Sequence, residues 1–561
     1  MTLALRTVTA AAVASPVRPA RGAATASPAL TRLFSGKKLI RAAVHLACWA
    51  PFITCAANSW RGPWRAVGDG ARTALVSWQT FSAQIPLVGQ ANELPHAPHD
   101  LGPLQFWLLA APVHIDPDRG VLWGAVLLAI LAASLTVEAG YSVRGETGGL
   151  LAGGIVVATV AWYPGFAAWP YDNPNFGMMF FLAALSACLA VLSGHRQWWP
   201  VLVATASIAA QAYLTYVGVS VGLVLIAVVV GLADGFRAKG GYGWLIAGLA
   251  AGAACWIAPL VQQFTSPAGK GNMSLLLHGD EGRQVGFAFA MKVMASFAAP
   301  SSLWWRESLN WWPDLYQKIT SRPAALGFVI LAITAAGLVI AVRWLRSREL
   351  AGLAAISLLV SVTAAAVFAR IPVQAFAVHG AGGFQHLVND VPLIFVMFIA
   401  ALLPWLTVIC VTALAVVKLI SDRRLTPLLV RGTAALLIVM TALLVLVVQS
   451  VENYAGTGED SMRVGAALAT IQRSLPRHRL ITLSVSSARN SDRYPVSQGL
   501  EWALTGDGYH FDTMRSRRSR TISQIAVVIR GRRLTIRIKQ KWCRPVADTP
   551  AMRHRLCAPG V

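Results

Sequence analysis

Residues 119–168 read RGVLWGAVLLAILAASLTVEAGYSVRGETGGLLAGGIVVATVAWYPGFAA, and this stretch decides the fold. It holds two apolar runs, 119–141 and 148–168, on either side of a short polar connection that contains Arg144. A helix needs about 20 apolar residues to cross the hydrocarbon core of a bilayer, and each run is long enough. The stretch therefore predicts a pair of membrane-spanning helices joined by a short turn.

The rest of the chain repeats this pattern. Of its 561 residues 56% are hydrophobic and only 13% are charged, which is too few charges for a soluble protein of ordinary composition. Residues 200–234 are apolar throughout and too long for one span, so we predict a tight turn near Gly218. We predict an all-α polytopic membrane protein with about eleven transmembrane helices; besides the two quoted, the runs are 39–58, 176–193, 200–216, 218–234, 243–261, 323–343, 350–369, 391–417 and 428–449.

The net charge of +24 agrees with this fold class. Basic residues hold loops on the cytoplasmic side of a membrane and face anionic lipid, so we expect membrane lipid and no nucleic acid as a partner. With eleven spans and a cytoplasmic N-terminus, the basic connections fall on one side. We therefore predict a disordered cytoplasmic tail over 1–38, a transmembrane domain over 39–450 with a long first outer loop over 59–118, and a multi-pass protein of the plasma membrane.

The C-terminal segment 451–561 differs in composition. Its alternating stretches, 479–486 and 521–541, predict strands, so we expect a small, basic α+β domain on the extracytoplasmic side. Cys543 and Cys557 lie in this segment, and an oxidising compartment would let them form a disulfide. Two free thiols remain the alternative, because spacing alone does not fix their geometry.

Candidate chemistry concentrates in the first outer loop. It contains two amphipathic pieces, 70–82 and 102–113, which are expected to lie in the membrane interface. The simple alternative for its carboxylates is solvation or helix capping, and Asp69 before Gly70 and Ala71 fits an N-cap. Its candidate acid, base and phosphate-binding residues are Asp69, Arg72, Glu93, His96, His99 and Asp100.

A second candidate acid stands outside that loop. Asp172 lies in the short outer loop between the third and fourth spans, and it is the only charged residue between Glu146 and His195. Isolated acids at such boundaries have a partner or a function, or they cap a loop, and both interpretations stay open here. No Cys/His cluster with metal spacing and no phosphate-binding loop is present, so we expect no required cofactor, although a divalent metal is not excluded.

The order of these features resembles a known family. A cytoplasmic tail, one span and a long outer loop with an early Asp precede the segment His99-Asp100-Leu101-Gly102-Pro103-Leu104-Gln105-Phe106-Trp107. This resembles the GT-C class of membrane glycosyltransferases, in particular the branch of protein O-mannosyltransferases and aminoarabinose transferases. YDNPN at 171–175 and PAGKGN at 267–272 are further local similarities. The chain lacks the common Lys-Pro-Pro-Leu form of the motif.

The resemblance implies a glycosyltransferase of the cell envelope. Such an enzyme transfers a sugar from a polyprenyl-phosphate donor to a glycan, lipid or protein acceptor on the outer face of the membrane. It implies that Asp69 is the catalytic base and that Asp172 helps to shape the catalytic site, with Arg72, Glu93, His96, His99 and Asp100 as candidates for substrate binding. The small residues Gly68, Gly70 and Ala71 are expected to let a substrate approach the backbone.

Two other classes of protein stay open on the sequence. A transporter or flippase of a lipid-linked or polar substrate would have related halves and broken helices at the bilayer midplane. A non-catalytic scaffold would use the basic C-terminal segment to bind an anionic polymer of the envelope.

Overall fold

The computed structural model describes sixteen segments of the chain: 36–61, 64–83, 85–90, 99–233, 241–267, 269–278, 284–298, 321–370, 391–420, 459–475, 480–487, 490–507, 510–511, 520–530, 533–544 and 556–559. Within them the N-terminal part is α-helical. Seven described helices are long and apolar enough to cross a membrane. The fold class, an α-helical polytopic membrane protein, is therefore confirmed.

The helices follow one another along the chain, and the connections differ widely in length. Ten of the eleven apolar runs overlap described helices; the run 428–449 lies outside the described residues, so the number eleven stays a prediction. The helices are α1 Gly36–Arg61, α2 Gly68–Gln79, α3 Leu104–Ile115, α4 Gly120–Trp162, α5 Gly165–Ala168, α6 Asn173–Leu192, α7 Trp199–Ala212, α8 Thr215–Ala233, α9 Gly241–Thr265, α10 Asn272–His278, α11 Phe287–Ala298, α12 Ala325–Ile340, α13 Arg348–Ala369 and α14 Val391–Ile420.

Helix α4 is a hairpin of two spans. The helical backbone breaks at Arg144 and at Gly145, whose φ of 55° lies in the left-handed region that glycine adopts easily. The two halves then cross in close contact, because a Cβ on Gly148 would lie 2.1 Å from the carbonyl oxygen of Gly140. The turn predicted at Arg144 is thus present.

The turn predicted near Gly218 is wrong in position. The chain leaves the helical conformation at Tyr213 (φ −157°, ψ 135°), and α8 begins at Thr215. Gly218 lies inside α8, where a Cβ would be 2.7 Å from Cγ2 of Val367 in α13. The glycine allows two helices to approach each other and does not end one. Trp199, at the start of α7, contacts Gly231 near the end of α8, so these helices still form a hairpin.

Helix α6 is the centre of the bundle. Eighty-nine per cent of its span is buried, a larger share than in any other candidate span, whereas the span of α9 is only 17% buried. Helices α4, α7 and α8 pack around α6 and bury large side chains such as Phe181 and Tyr216. The N-terminus of α6 is thereby held in a fixed place at one end of the bundle.

The first outer loop contains α2 and α3, close to the two amphipathic pieces predicted there. The two helices pack against each other, and α3 also packs against α4 and α7. Leu109 and Val113 of α3 are fully buried. Helix α3 is therefore part of the packed end of the bundle rather than a separate interfacial helix.

The C-terminal residues form an α+β unit. Helices α15 Glu459–Ser474 and α16 Asn490–Gly506 pack on a five-stranded sheet of order β2-β1-β3-β4-β5. The strands are β1 Leu480–Ser487, β2 His510–Phe511, β3 Arg520–Arg530, β4 Arg533–Arg544 and β5 Leu556–Pro559. Antiparallel pairing places Cys543 directly opposite Cys557, a position from which a disulfide is geometrically accessible, and the disulfide itself stays a prediction.

Candidate active site at one end of the bundle

Asp69 lies in the first turn of α2. The helix begins at Gly68, so Asp69 is not the N-cap that the sequence also allowed; that position belongs to Val67. The side chain is half-buried and accepts a hydrogen bond of 2.8 Å from Nε2 of Gln90. The positive end of the helix dipole favours a carboxylate here.

Asp172 lies at the N-cap of α6, on the neighbouring loop. Its side chain accepts no capping hydrogen bond from the helix, so capping does not account for this acid. Burial raises the pKa of the Asp172 carboxyl well above its usual range, and the nearby charge of Asp69 raises it further. The two candidate catalytic acids thus lie close enough to affect each other, at two helix N-termini.

Tyr171 explains why the acids approach each other. A Cβ on Gly70 would lie 2.6 Å from Cε2 of Tyr171, so the ring packs directly over the glycine. The ring of Trp64 also packs against the ring of Tyr171 in an edge-to-face contact, with the two ring centroids 6.0 Å apart. The expectation that these small residues leave room for a substrate is wrong at Gly70, where the ring fills the space. The contact holds Asp172, the next residue, beside Asp69.

Asp100 belongs to the packing of this end of the bundle. It is 8% exposed, and its Oδ2 accepts a hydrogen bond of 2.7 Å from Nδ2 of Asn173. Its backbone N–H donates to the carbonyl of Gln90, and its carbonyl accepts from the N–H of Gly89, both at 2.9 Å. Asp100 therefore ties the strand-like segment 89–90 to the N-terminus of α6.

A second amide side chain, that of Asn272, holds the backbone of the same segment at His99 and Asp100. Asn272, the first residue of α10, accepts from the N–H of His99 at 2.8 Å and donates to the carbonyl of His99 at 3.0 Å. Gln105 of α3 donates to the carbonyl of Tyr171 at 2.6 Å. Amide side chains from three parts of the chain therefore hold the loop that carries Asp172 and the segments 89–90 and 99–100, where Gln90 contacts Asp69.

The structure places the remaining candidates as follows. Nδ1 of His99 lies 3.2 Å from the carbonyl oxygen of Gly89. Arg72 lies one turn after Asp69 on α2, beside Glu501 of α16; its charge lowers the pKa of Glu501, although burial of that carboxyl raises the pKa more. Glu93 and His96 lie outside the described residues. The roles of all seven candidates stay predictions.

Sequence reasoning missed the amide side chains. Gln90, Asn173 and Asn272 each make a buried or half-buried hydrogen bond at the site. A signal was present, because Asn173 and Asn272 belong to the two short segments, 171–175 and 267–272, that resemble the GT-C class. Polar side chains inside an apolar part of a chain are nearly always hydrogen-bonded, so these amides indicate a polar site in the same way as the acids.

A different group of polar side chains, with one acid and two basic residues, lies near the opposite end of α1. Glu138 of α4 receives a hydrogen bond of 2.8 Å from Nε of Arg41, whose Nη2 also pairs with it. Nε2 of His45 lies 2.7 Å from the same carboxylate. Here a single acid has an arginine and a histidine as partners on the facing helix.

In the described part of the chain, no three His, Cys, Asp or Glu side chains are grouped as metal ligands. Independence of a metal ion stays a prediction.

Comparisons with known proteins gave structural matches only. The chain is similar to the crystal structure of ArnT from Cupriavidus metallidurans bound to undecaprenyl phosphate, with 13% sequence identity, a TM-score of 0.46, and coverage of 90% of this chain and 98% of ArnT. The apo structure of the same protein gives 14% identity and a TM-score of 0.37 at the same coverage. No family model and no curated protein matches the chain.

Proposed function

We propose that this protein is a membrane glycosyltransferase that moves a sugar from a polyprenyl-phosphate donor to an acceptor hydroxyl of the cell envelope. The observation that carries the proposal is the pair Asp69 and Asp172, because burial and like charge raise the pKa of Asp172 beside a second acid. Clustered, perturbed carboxylates are typical of catalytic sites. The resemblance of residues 99–107 and 171–175 to the GT-C class supports the choice of reaction.

The place of the pair suits a lipid-linked donor. Asp69 follows the end of α1, and Asp172 directly precedes α6, so both acids lie where membrane-spanning helices end. A polyprenyl chain stays in the bilayer while its phosphate lies at the boundary with water. A site at this level lets the sugar meet a water-soluble acceptor.

The reaction assigns one role to each acid. Asp69 takes the proton from the acceptor hydroxyl as the acceptor oxygen bonds to the anomeric carbon. The bond from that carbon to the phosphate oxygen breaks on the opposite face, and the polyprenyl phosphate leaves with the electron pair, which inverts the anomeric centre. The raised pKa of Asp172 favours its protonated form, which donates a hydrogen bond to a sugar or acceptor oxygen. Arg72 and His99 are our candidates for the phosphate.

The experiment is single-turnover transfer from a labelled polyprenyl-phosphate sugar by purified protein in nanodiscs. Asp69→Asn keeps the shape of the side chain and removes the base, so we expect the rate to fall by about 10²–10⁴-fold while donor binding persists. The matched control is Asp118→Asn, which makes the same chemical change at an exposed acid between α3 and α4. Transfer by Asp69→Asn at the wild-type rate shows that Asp69 is not the base. If substitutions of Glu93, Asp100 and Asp172 also have no effect, the protein is not such an enzyme.

We also propose that the site faces the outside and that the N-terminus is cytoplasmic. The basic connection at Arg144 supports this orientation, and the C-terminal unit packs at the site end, where Trp502 of α16 lies 5.9 Å from Trp78 of α2. A cysteine in place of Met462, which is 57% exposed, should react with an impermeant maleimide on intact cells when Cys543 and Cys557 are serine. Reaction only after permeabilisation would reverse the orientation.

A further inference from the structure

The C-terminal sheet has two unlike faces. Ile525 and Val527 of β3 are fully buried against α15 and α16, and Ile536 of β4 packs into the same core. Alternate residues of a strand lie on opposite faces of the sheet. The register of β3 with β4 therefore defines an inner face, which contains these three residues, and an outer face, which contains their immediate neighbours.

The outer face collects the basic residues of the two long strands. Seven residues of β3 and β4 are Lys or Arg, and all but Arg544 fall on the outer face by register. The five described strands contain no Asp or Glu. The six outer positions are Arg520, Arg530, Arg533, Arg537, Lys539 and Lys541.

These positions form a row along β4. Arg537, Lys539 and Lys541 occupy every second position of the strand, so neighbouring members are about 6.8 Å apart in an antiparallel strand. A row of cations at regular spacing matches a linear chain with regularly spaced anionic groups. Any sheet covered on one face places its charges on the other, so the distinguishing feature is that no acid accompanies these cations in the described strands.

The layers of the unit decide from which side a partner approaches. Helix α16 presents Val496 and Leu500 to the sheet, while its Trp502 lies against Trp78 of α2 in the core of the bundle. Gly499, between them, packs closely on the chain before α2, because a Cβ on this glycine would lie 3.2 Å from the carbonyl oxygen of Ala66. Helix α16 therefore separates α2 from the sheet, and the outer face is directed away from the bundle and its lipid.

We propose that the outer face of this sheet binds a linear polyanion, a chain of repeating phosphate or carboxylate groups, from the aqueous side. The row along β4 tracks the chain, and the attraction depends on its successive charges rather than on any single group. This binding site is separate from the acid pair and does not depend on the proposed transferase activity.

The test measures binding of a fluorescent linear polyphosphate to the full-length protein in nanodiscs of zwitterionic lipid. Arg537→Gln/Lys539→Gln should weaken binding by about three- to thirtyfold, the value of two charge contacts screened by solvent, and flatten the dependence of affinity on salt. The matched control is Arg463→Gln/Arg473→Gln on α15, which removes the same charge from the same unit and should change affinity less than twofold. Arg537→Lys/Lys539→Arg keeps the charges and should bind as the wild type does, which separates charge from folding.

Four results overturn the proposal. Equal losses in both double variants show attraction by net charge alone. Binding of polyphosphate no tighter than inorganic phosphate at equal phosphate concentration shows that no extended site exists. Vesicles of anionic phosphatidylglycerol that need Arg537 and Lys539 while polyphosphate does not would assign the face to a membrane. An oligonucleotide of equal charge that binds more than tenfold tighter would assign it to nucleic acid.

Discussion

The bundle has a buried or half-buried carboxylate near each end, and the neighbours of the two carboxylates are opposite in kind. Near one end, Glu138 lies between Arg41 and His45 of the facing helix. At the other, Asp172 lies beside a second acid, Asp69, and burial raises its pKa. Glu138 has partners of opposite type where α1 and α4 pack, whereas Asp69 and Asp172 are two acids brought together.

The difference indicates which cluster has a function beyond folding. An ion pair between two helices fits a structural role, because its opposite charges attract and join the helices. Two acids at one site cost free energy whenever both are ionised. Packing enforces that cost here through the contact of Tyr171 with Gly70. Proteins keep such arrangements where the chemistry uses them.

The strongest way to break the comparison, after removal of Asp69, is to move the acids apart. Gly70→Ala places a methyl group 2.6 Å from Cε2 of Tyr171, so the ring and the adjoining Asp172 must shift. We expect transfer to fall roughly 10- to 100-fold, because misplacement by about 1 Å costs that much in a positioned site. The free energy of unfolding should fall by about 1–3 kcal/mol.

Gly154→Ala is the matched control for this substitution. A Cβ at Gly154 of α4 would have no heavy atom within 4 Å, so the same methyl group meets open space. The variant should transfer sugar at the wild-type rate. Equal activity of Gly70→Ala and Gly154→Ala would show that the close packing of Tyr171 does not position the acids.

A smaller expected effect is on thermal stability, which should change in opposite directions when Asp172 and Glu138 are replaced. The raised pKa of Asp172 means that the folded state favours the protonated acid, so its contribution to stability is present at low pH and is lost as pH rises through the raised value. Asp172→Asn should therefore raise the melting temperature at neutral pH and lose this advantage near pH 4. Glu138→Gln removes an acid that pairs with Arg41 and should lower stability by about 1 kcal/mol.

Thermal melts of the two variants and the wild type at neutral and acidic pH measure both signs. A fall in stability for Asp172→Asn at neutral pH would mean that this acid is satisfied like Glu138, and the contrast between the two ends would be lost.

Part of this organisation could be predicted from the sequence. Arg144 between two apolar runs fixed the turn of α4, because a charged residue is costly inside the bilayer. Gly218 misled, because a glycine serves close helix packing as readily as a turn, and sequence alone does not distinguish the two. Asp69 and Asp172 were both identified as candidates, yet about 100 residues separate them. Their approach depends on Tyr171 over Gly70, and no periodicity encodes such a contact.

The amide clamp shows the same limit. Asn272 holds the backbone of His99 across 173 residues of sequence. A hydrogen bond between distant segments needs the packed positions of α3, α6 and α10 and leaves no pattern in the local sequence. The resemblance to the GT-C class pointed to segments that the structure brings into contact, but it gave none of the contacts themselves.

The measurement that tests the central claim most directly is a double-mutant cycle on kcat/KM for sugar transfer with Asp69→Asn, Asp172→Asn and the double variant. If the two acids act as one unit, their losses are not additive, as for other residues that act together. The double variant should then be within about tenfold of the slower single variant. Losses that multiply in full would show two independent acids and contradict a shared catalytic site.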